Sequence, residues 1–280
     1  MSTLVIYCYY ETDETKSNLE FFLKTGVFDS QEYFYIFIIN NSKCSLRFPT
    51  FSNIEVIYRT ENNCDMMTYN WLMANKSSEY FVKYSYYYFI NSSCIGPFMP
   101  TICINNWIES MNYFLLKHSM IGPIVEIPPD SNGHTYLNIQ PTNNIPFIHT
   151  YMFGLSKSAF DIFKNILNKI TDTSKTNMVY NIERVLTSSI LLSGGKIKTL
   201  LSRFNKYDIN EEKRWKADIW NEPGKLSCYE IPGNYYGIDV NPFEIIFVKN
   251  IRNTSEVRLA NYAGISDILR KQIDNYKKWL

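Results

Sequence analysis

The chain begins with an apolar run followed by an amphipathic stretch. Leu4 to Tyr10 is continuously apolar and stops at a polar Glu-Thr-Asp sequence, which predicts a strand buried on both faces. Lys16 to Lys24 then places its apolar residues on one helical face, and Gly26 is a stop signal for that helix. The pattern therefore predicts a strand and then a helix.

The same alternation continues along the chain. β-branched and aromatic runs predict further strands at Tyr33 to Ile39, Ile54 to Tyr58, Tyr86 to Ile90 and Phe147 to Leu155. Helical spacing recurs at Met66 to Ala74, Lys157 to Ile170 and Asn181 to Leu192. Such alternation is typical of an α/β fold with a mainly parallel sheet between helices, and the first ninety residues look Rossmann-like. No repeat or low-complexity linker divides the chain, which predicts one domain over residues 1–280.

Composition excludes several classes of protein. The chain has 280 residues, of which 45% are hydrophobic and 20% charged, enough for a large core. A formal charge of +1 without a basic stripe argues against a nucleic-acid partner. No apolar stretch approaches the ~20 residues of a transmembrane segment, and the first residues do not resemble a signal peptide. We therefore expect a cytoplasmic protein.

Familiar catalytic and metal-binding motifs are missing. The six cysteines form no C-x-x-C pair, which argues against a zinc site and a disulfide framework. There is no G-x-G-x-x-G after the first strand and no G-x-S-x-G elbow. Gly194-Gly195-Lys196 lacks the Ser or Thr that a phosphate loop needs, because Ile197 follows. The three histidines lack the spacing of a zinc protease.

One strand end carries a longer motif. The strand Tyr86 to Ile90 runs into Asn91-Ser92-Ser93-Cys94-Ile95-Gly96-Pro97-Phe98-Met99-Pro100. This string resembles the strand and Asp-x-Asp element of GT-A glycosyltransferases in an "NSS-x-x-GPF-x-P" version, with Asn91 and Ser93 at the aspartate positions. Stretches at 61–65, 181–198 and 235–249 fit the same group in the same order. Asn63 and Cys64 stand where that group has a glycine beside Asn62.

The resemblance implies a fold and a reaction. It implies a single GT-A domain, with a nucleotide-sugar-binding half at 1–95 and an acceptor-binding half with a C-terminal closing segment at 96–280. The partners would be a nucleotide-diphosphate sugar, with UDP favoured, and a hydroxyl of a glycan or other acceptor. Transfer would invert the anomeric configuration, because a single displacement takes place.

The neutral motif changes the expectation for a metal. Aspartates in this element hold a divalent cation that bridges the donor phosphates, whereas Asn91 and Ser93 are neutral. We therefore assign no metal ligands and predict a transferase that depends weakly or not at all on a metal. Mn²⁺ or Mg²⁺ remains a possible cofactor. The diphosphate would need protein cations, and Lys249 and Arg252 are candidates after a predicted strand at Pro242 to Glu244. Both could equally be solvated surface charges.

Glu183 is the candidate catalytic residue. It lies near the start of the helix predicted from Asn181, on a different side from the apolar face. In the resemblance it takes the place of the general base, which accepts the proton of the acceptor hydroxyl. The alternative is an acidic residue that only favours a helix N-terminus electrostatically.

Other candidates follow from position. The donor should lie against the ends of the first, third and fourth strands, where its predicted ligands are Tyr9, Tyr10, Glu11, Arg59, Asn62, Asp65, Asn91, Ser92 and Ser93. Tyrosines could stack on the base, carboxylates accept ribose hydroxyls and an arginine meet phosphate. The tyrosines could also be packing residues, and the carboxylate at position 65 an N-cap. On resemblance alone, the acceptor side involves His149, Tyr235, Tyr236 and Asp239.

Two rival classes remain. A non-catalytic sugar-nucleotide or glycan-binding module would explain the missing aspartates as a loss of chemistry on a retained fold. A nucleotidyltransferase would need metal-binding carboxylates on adjacent strands and a Gly-rich loop, and the sequence has neither.

Overall fold

A computed structural model describes residues 2–61, 64–100, 102–126, 146–170, 179–206, 209–210 and 240–250, with Lys271 and Asn275. Its strands are β1 Thr3–Tyr9, β2 Tyr33–Ile39, β3 Ile54–Tyr58, β4 Tyr86–Asn91, β5 Cys94–Ile95, β6 Met120–Gly122, β7 Val125–Glu126, β8 Phe147–Ile148, β9 Met152–Ser156, β10 Ile197–Thr199 and β11 Val248–Lys249. Its α-helices are α1 Asp13–Thr25, α2 Asp65–Asn75, α3 Ser78–Val82, α4 Trp107–Leu115, α5 Lys157–Leu167, α6 Val185–Leu192 and α7 Pro242–Ile245. A π-helical segment, Val179–Arg184, leads into α6, and a 3₁₀ helix covers Ser202–Lys206.

The described strands form one large sheet with a mainly parallel arrangement. The strand order is β10-β6-β9-β4-β1-β2-β3, and β9 runs antiparallel to both of its neighbours. The remaining pairs in this sheet are parallel, including β1 with both β2 and β4. The predicted α/β fold with a mainly parallel central sheet is confirmed. Because the chain leaves β1 toward β2 on one side while β4 lies on the other, a topological switch point opens between β1 and β4.

The central strands are buried on both faces, as their continuous apolar sequences predict. All seven residues of β1 are buried. On one face of β4, Tyr87 stacks on Phe160 of α5 with ring centroids 3.9 Å apart. On the other face Tyr88 meets Trp107 of α4 at 5.2 Å. Glycine at position 154 permits this packing, since a Cβ there would lie 2.3 Å from the Tyr88 ring.

Several predicted boundaries are confirmed and others are wrong. The strands at Tyr33–Ile39 and Ile54–Tyr58 match their predictions. Phe147 to Leu155 is not one strand, because a turn at residues 149–151 separates β8 from β9. Pro242 to Glu244 is helical, since Asn241 caps the segment by accepting a hydrogen bond from the Phe243 backbone N–H.

Two further observations concern the described part of the chain. None of its helices has both the length and the apolar composition that crossing a bilayer requires. Its five cysteines are free thiols, of which Cys8 and Cys94 are buried and Cys103 is exposed.

Candidate functional site

The carboxyl edge of the sheet carries a polar turn at the switch point. Asn91 is the last residue of β4, and its backbone N–H donates to the Tyr151 carbonyl at 2.9 Å. The Ser92 N–H donates to the Cys8 carbonyl at 3.0 Å, which ties the turn to the end of β1. The structure thus places Asn91, Ser92 and Ser93 at the edge where ligands bind in sheets of this type.

Both polar atoms of the Asn91 side chain bind protein groups. Its amide nitrogen donates to Asp65 Oδ2 at 2.6 Å. Its oxygen accepts hydrogen bonds from the Ser93 backbone N–H at 3.1 Å and from Ser93 Oγ at 2.5 Å. Asp65 opens α2, but Cys64 is the N-cap residue and makes no side-chain cap bond. The Asp65 carboxylate therefore lies at the end of β4 as a hydrogen-bond acceptor, and its second oxygen accepts the Met66 N–H at 2.9 Å.

These groups do not fit a divalent cation of the Asp-x-Asp kind. The Asn91 oxygen already accepts two hydrogen bonds, and its amide nitrogen, a donor, is the atom that faces the carboxylate. Hard cations such as Mg²⁺ prefer several oxygen ligands, usually with more than one carboxylate. Within the described ranges, no group of three or more His, Cys, Asp or Glu side chains is arranged to hold a metal.

A pair of amides clamps the turn to the segment at 240–250. Asn18 of α1 and Asn250 exchange two hydrogen bonds of 2.8 Å, and the Asn18 amide also donates to the Ser92 carbonyl at 2.9 Å. The Asn250 N–H donates to the Ser93 carbonyl at 3.0 Å. Because β11 pairs with β5, Lys249 lies opposite Cys94 directly beyond the turn. We call Asn18, Asn250 and the two serine carbonyls the amide clamp.

The backbone around Ile246 also packs closely against the chain that follows the turn. Glycine at position 96 has φ +156, and a Cβ there would lie 2.6 Å from the Ile246 carbonyl oxygen. Ile246 itself has φ 63, a region that β-branched residues rarely adopt, and such strain costs about 1–3 kcal/mol. Its carbonyl accepts the Phe98 N–H at 2.8 Å, which holds this segment against the chain that follows the turn.

Glu183 lies in the π-helical segment that precedes α6, and its side chain is half-buried. Glu183 Oε1 accepts two hydrogen bonds from Thr150, one from the backbone N–H at 2.5 Å and one from Oγ1 at 2.9 Å. Within the part of the chain that the structure describes, Oε2 accepts no hydrogen bond. The carboxylate is therefore anchored through one oxygen.

The turn at residues 149–151 joins Glu183 to the end of β4. Thr150 holds the Glu183 carboxylate, and the carbonyl of the next residue, Tyr151, accepts the Asn91 N–H. His149 Nε2 lies 2.9 Å from Glu126 Oε2, and its ring stacks parallel to Phe147 at 5.5 Å. The turn thus brings the predicted base, a predicted acceptor residue and the predicted donor turn to one edge.

The predicted nucleoside side lies at the end of β1. Glu11 accepts hydrogen bonds from the Ser45 backbone N–H at 2.8 Å and from the Tyr9 hydroxyl at 3.3 Å. The Ser45 bond is the main reason that the pKa of the Glu11 carboxyl lies below its usual value. Tyr9 is buried, whereas Tyr10 is 41% exposed and so offers an accessible ring.

Arg59 is engaged by protein groups. It is buried, and its guanidinium donates to Asn40 at 3.4 Å, to Thr68 at 3.3 Å and to Glu61 at 2.8 Å. It also lies over the Trp71 ring at 4.4 Å. These contacts connect β3 to α2, so Arg59 supports the carboxyl edge from within the fold.

The buried thiols near the turn are poor nucleophiles. Burial raises the pKa of the Cys8 thiol to about 12 and raises that of Cys94 further above its ordinary value. Cys94 Sγ donates to the Asn91 and Tyr151 carbonyls. Both thiols therefore stay protonated and serve packing.

Some predicted residues cannot be placed, and some described ones were missed. Asn62, Tyr235, Tyr236, Asp239 and Arg252 lie outside the described residues, and their roles stay predictions. The sequence did not single out Thr150, Asn18 or Asn250. No local pattern points to them, because their partners lie 33 to 232 positions away along the chain.

Comparisons with known proteins found similarity to solved structures. No protein-family model matches the sequence, and no curated protein matches it. The chain is similar to a solved glycosyltransferase structure. This is the mannosyltransferase PcManGT from Pyrobaculum calidifontis in complex with GDP-Man and Mn²⁺, with a TM-score of 0.43 and 9% sequence identity. The match covers 70% of this chain and 54% of that one, so the chain spans about half the length of that structure.

Proposed function

We propose that the protein is an inverting GT-A glycosyltransferase that moves a sugar from a nucleotide-diphosphate carrier, UDP by preference, to a hydroxyl of a glycan or other acceptor. The observation that carries the proposal is the link between Glu183 and Asn91 through Thr150 and Tyr151. That link sets a carboxylate and a polar strand-end turn at the same edge of a parallel sheet, next to its switch point.

Glu183 would act as the general base. As the acceptor oxygen attacks the anomeric carbon, Oε2 accepts the hydroxyl proton while Oε1 stays bonded to Thr150. The carbon–oxygen bond to the diphosphate breaks on the opposite face of the sugar, so a single displacement inverts the configuration. His149, held by Glu126, lies next to Thr150 and would bind the acceptor together with Tyr235, Tyr236 and Asp239.

The donor would lie across the ends of β1, β3 and β4. Asp65, the carboxylate next to Asn91, would accept a ribose hydroxyl, and the exposed ring of Tyr10 would stack on the base. Lys249 lies just beyond the turn and would neutralise the leaving diphosphate together with Arg252. Because Asn91 and Ser93 are neutral and bonded to each other, we propose that transfer depends little on a divalent cation.

A melting-temperature panel tests donor binding. UDP-, GDP- and dTDP-sugars are each added with Mn²⁺ or with a chelator, and a ligand at one hundred times its Kd adds about 2.7 kcal/mol of stability. We expect stabilisation by one nucleotide family, UDP first, that persists in the chelator. Sugar transfer to glycan acceptors is then measured with that donor and with Glu183→Gln. Absence of stabilisation by every nucleotide sugar would contradict the proposal.

The neutral turn, in which Asn91 and Ser93 bind each other, favours one alternative, a non-catalytic sugar-nucleotide or glycan-binding module. Such a module would need no cation and no base, and the internal hydrogen bonds of Asn91 and Ser93 are compatible with a purely structural turn. The same panel separates the two functions. A nucleotide sugar that stabilises the wild-type protein but is never transferred, with Glu183→Gln binding it equally well, would favour the module.

A further inference from the structure

Thr150 holds the Glu183 carboxylate through two different atoms. Its backbone N–H donates to Oε1 at 2.5 Å, and its hydroxyl donates to the same oxygen at 2.9 Å. Thr150 is 8% exposed and Glu183 is half-buried, so this contact is only partly accessible to water. Hydrogen bonds to an ionised carboxylate are among the stronger ones in proteins.

The two bonds fix an orientation. The last side-chain torsion of glutamate is broad and roughly two-fold, so the two carboxylate oxygens exchange places easily unless hydrogen bonds hold one of them. Two donors on one oxygen distinguish Oε1 from Oε2 and leave Oε2, which accepts no hydrogen bond from the described residues, as the open acceptor. Since Tyr151 binds Asn91, the same backbone also sets the distance from the carboxylate to the donor turn.

We propose that the Thr150 hydroxyl is a positioning group that selects Glu183 Oε2 as the proton-accepting atom. The proposal rests on the proposed function for its catalytic meaning, while the hydrogen-bond pair itself is independent of any activity. Thr150 touches no reacting atom and acts only through Glu183.

The effect of the Thr150 hydroxyl on Glu183 can be separated from the effects of neighbouring charged groups. The elements that pack on its π-helical segment, α6 and β8, carry no charged side chain. Among the described residues, the charged groups that adjoin Glu183 and Thr150 along the chain are Arg184, whose guanidinium lies 5.3 Å from the Phe147 ring, and His149, which is paired with Glu126. These groups are unchanged when only the Thr150 hydroxyl is removed, so a change in the NMR signal of the Glu183 carboxyl reports the lost hydrogen bond.

Three variants isolate the hydroxyl. Thr150→Val removes it at nearly constant volume, Thr150→Ser keeps it, and Ser188→Ala is the matched control. Ser188 is a buried residue of α6 whose hydroxyl donates to the Arg184 carbonyl, so its loss deletes a neighbouring hydroxyl that does not touch the carboxylate. If the valine variant melts before it can be studied, Thr150→Ala serves as the second variant that lacks the hydroxyl.

The first readout needs no substrate. Carboxyl carbons of glutamate are labelled with ¹³C, the Glu183 signal is identified by its absence in Glu183→Gln, and its chemical shift at pH 7 is compared between the variants by NMR. The chemical shift of a carboxyl carbon depends on the hydrogen bonds that its oxygens accept, so we expect Thr150→Val to displace the Glu183 signal. Thr150→Ser and Ser188→Ala should leave the signal at its wild-type position. An unchanged signal in Thr150→Val, or an equal displacement in Ser188→Ala, overturns the proposal.

The second readout uses transfer. In Thr150→Val kcat should fall roughly ten- to a hundredfold with KM for the donor unchanged. Thr150→Ser should restore kcat. If NMR shows the displaced signal but no donor is ever transferred, the positioning contact stands and the proposed function fails. If transfer occurs but kcat of Thr150→Val matches that of the wild-type protein, the function stands and the positioning role is wrong.

Discussion

The Asn91–Ser93 turn and the Glu183 carboxylate lie at the same sheet edge but use their polar atoms differently. Each polar atom of the Asn91 side chain meets a protein partner, and the carbonyls of Ser92 and Ser93 accept hydrogen bonds from Asn18 and Asn250. Glu183 commits one oxygen to Thr150 and leaves the other open within the described ranges.

The difference distinguishes a structural turn from the carboxylate that we propose as the base. A turn whose side chains bind one another has little capacity left for a cation. A carboxylate that is anchored by one oxygen keeps a defined direction and retains an acceptor for a substrate proton. Mutations at the turn should therefore change stability and metal response, and mutations at Glu183 should change turnover.

The largest expected effect comes from Glu183→Gln. Glutamine keeps an oxygen for Thr150 but cannot accept the proton, so kcat should fall by at least about a hundredfold while nucleotide-sugar stabilisation is unchanged. The matched control is Glu109→Gln, because Glu109 contacts Tyr33 at the start of β2, on the opposite edge of the sheet. Turnover of Glu183→Gln equal to that of the control would remove Glu183 as the base.

The amide clamp should matter next, through stability. Asn18 is 1% exposed, and Asn18→Ala leaves the Asn250 amide and the Ser92 carbonyl without it, which should cost about 2–3 kcal/mol. Urea unfolding of Asn18→Ala, Asn250→Ala and the double variant measures the coupling free energy between the two asparagines. We expect the double variant to lose clearly less than the sum of the single losses, and simple additivity would contradict a shared clamp.

A smaller effect should follow from Asn91→Asp, which places a second carboxylate opposite that of Asp65. Replacing the donor that lies 2.6 Å from Asp65 Oδ2 should cost about 1–2 kcal/mol at pH 7 in a chelator. Like charges raise the pKa of one of the two carboxyls, so the loss should shrink as the pH falls below that raised pKa. Added Mn²⁺ should restore part of the lost free energy of unfolding at pH 7.

The charge swap provides the control for that variant. Combining Asn91→Asp with Asp65→Asn restores one donor and one acceptor across the same contact, so unfolding in the chelator should return toward the wild-type value. If the double variant is less stable than Asn91→Asp alone, the contact between these two residues is not the cause.

The smallest effect concerns Glu11. Because the pKa of its carboxyl is lowered in the fold, its stabilisation is fully present above the unfolded value near 4.5 and is lost as the pH falls through the folded value. Glu11 is partly exposed, so Glu11→Gln should cost only about 0.5 kcal/mol at pH 7. Urea unfolding at pH 7 and near pH 3 should show this difference disappearing in acid, and a difference of equal size at both would contradict the assignment.

Continuous apolar strands were predictable from the sequence, whereas interrupted ones were not. β2 matches its prediction because a parallel strand buried on both faces has an unbroken apolar sequence. The half-buried edge strand β3 matches because its β-branched and aromatic residues favour a strand. The segment from Phe147 looks equally apolar, yet the turn at 149–151 breaks it, because its groups bind Glu126, Glu183 and Asn91 instead of a neighbouring strand. Tertiary partners decided that boundary.

The candidate site was predictable where it follows strand ends. Asn91 and Asp65 were singled out by position, and the structure places their side chains in contact. The helix α4 had no prediction, although Asn106 caps it by accepting a hydrogen bond from the Glu109 N–H. Thr150 was missed because its partner comes from a helix 33 positions later, a pairing that no local spacing encodes.

The amide clamp has a consequence for how the chain is made. Its two asparagines are separated by 232 positions, and a ribosome adding about 5–20 residues per second needs roughly 12–46 s to travel between them. The strands from β1 to β4 therefore emerge well before Asn250 exists. The turn after β4 lacks its amide clamp until Asn250 has been made, so an emerging chain passes through a period in which the Ser93 carbonyl lacks its partner.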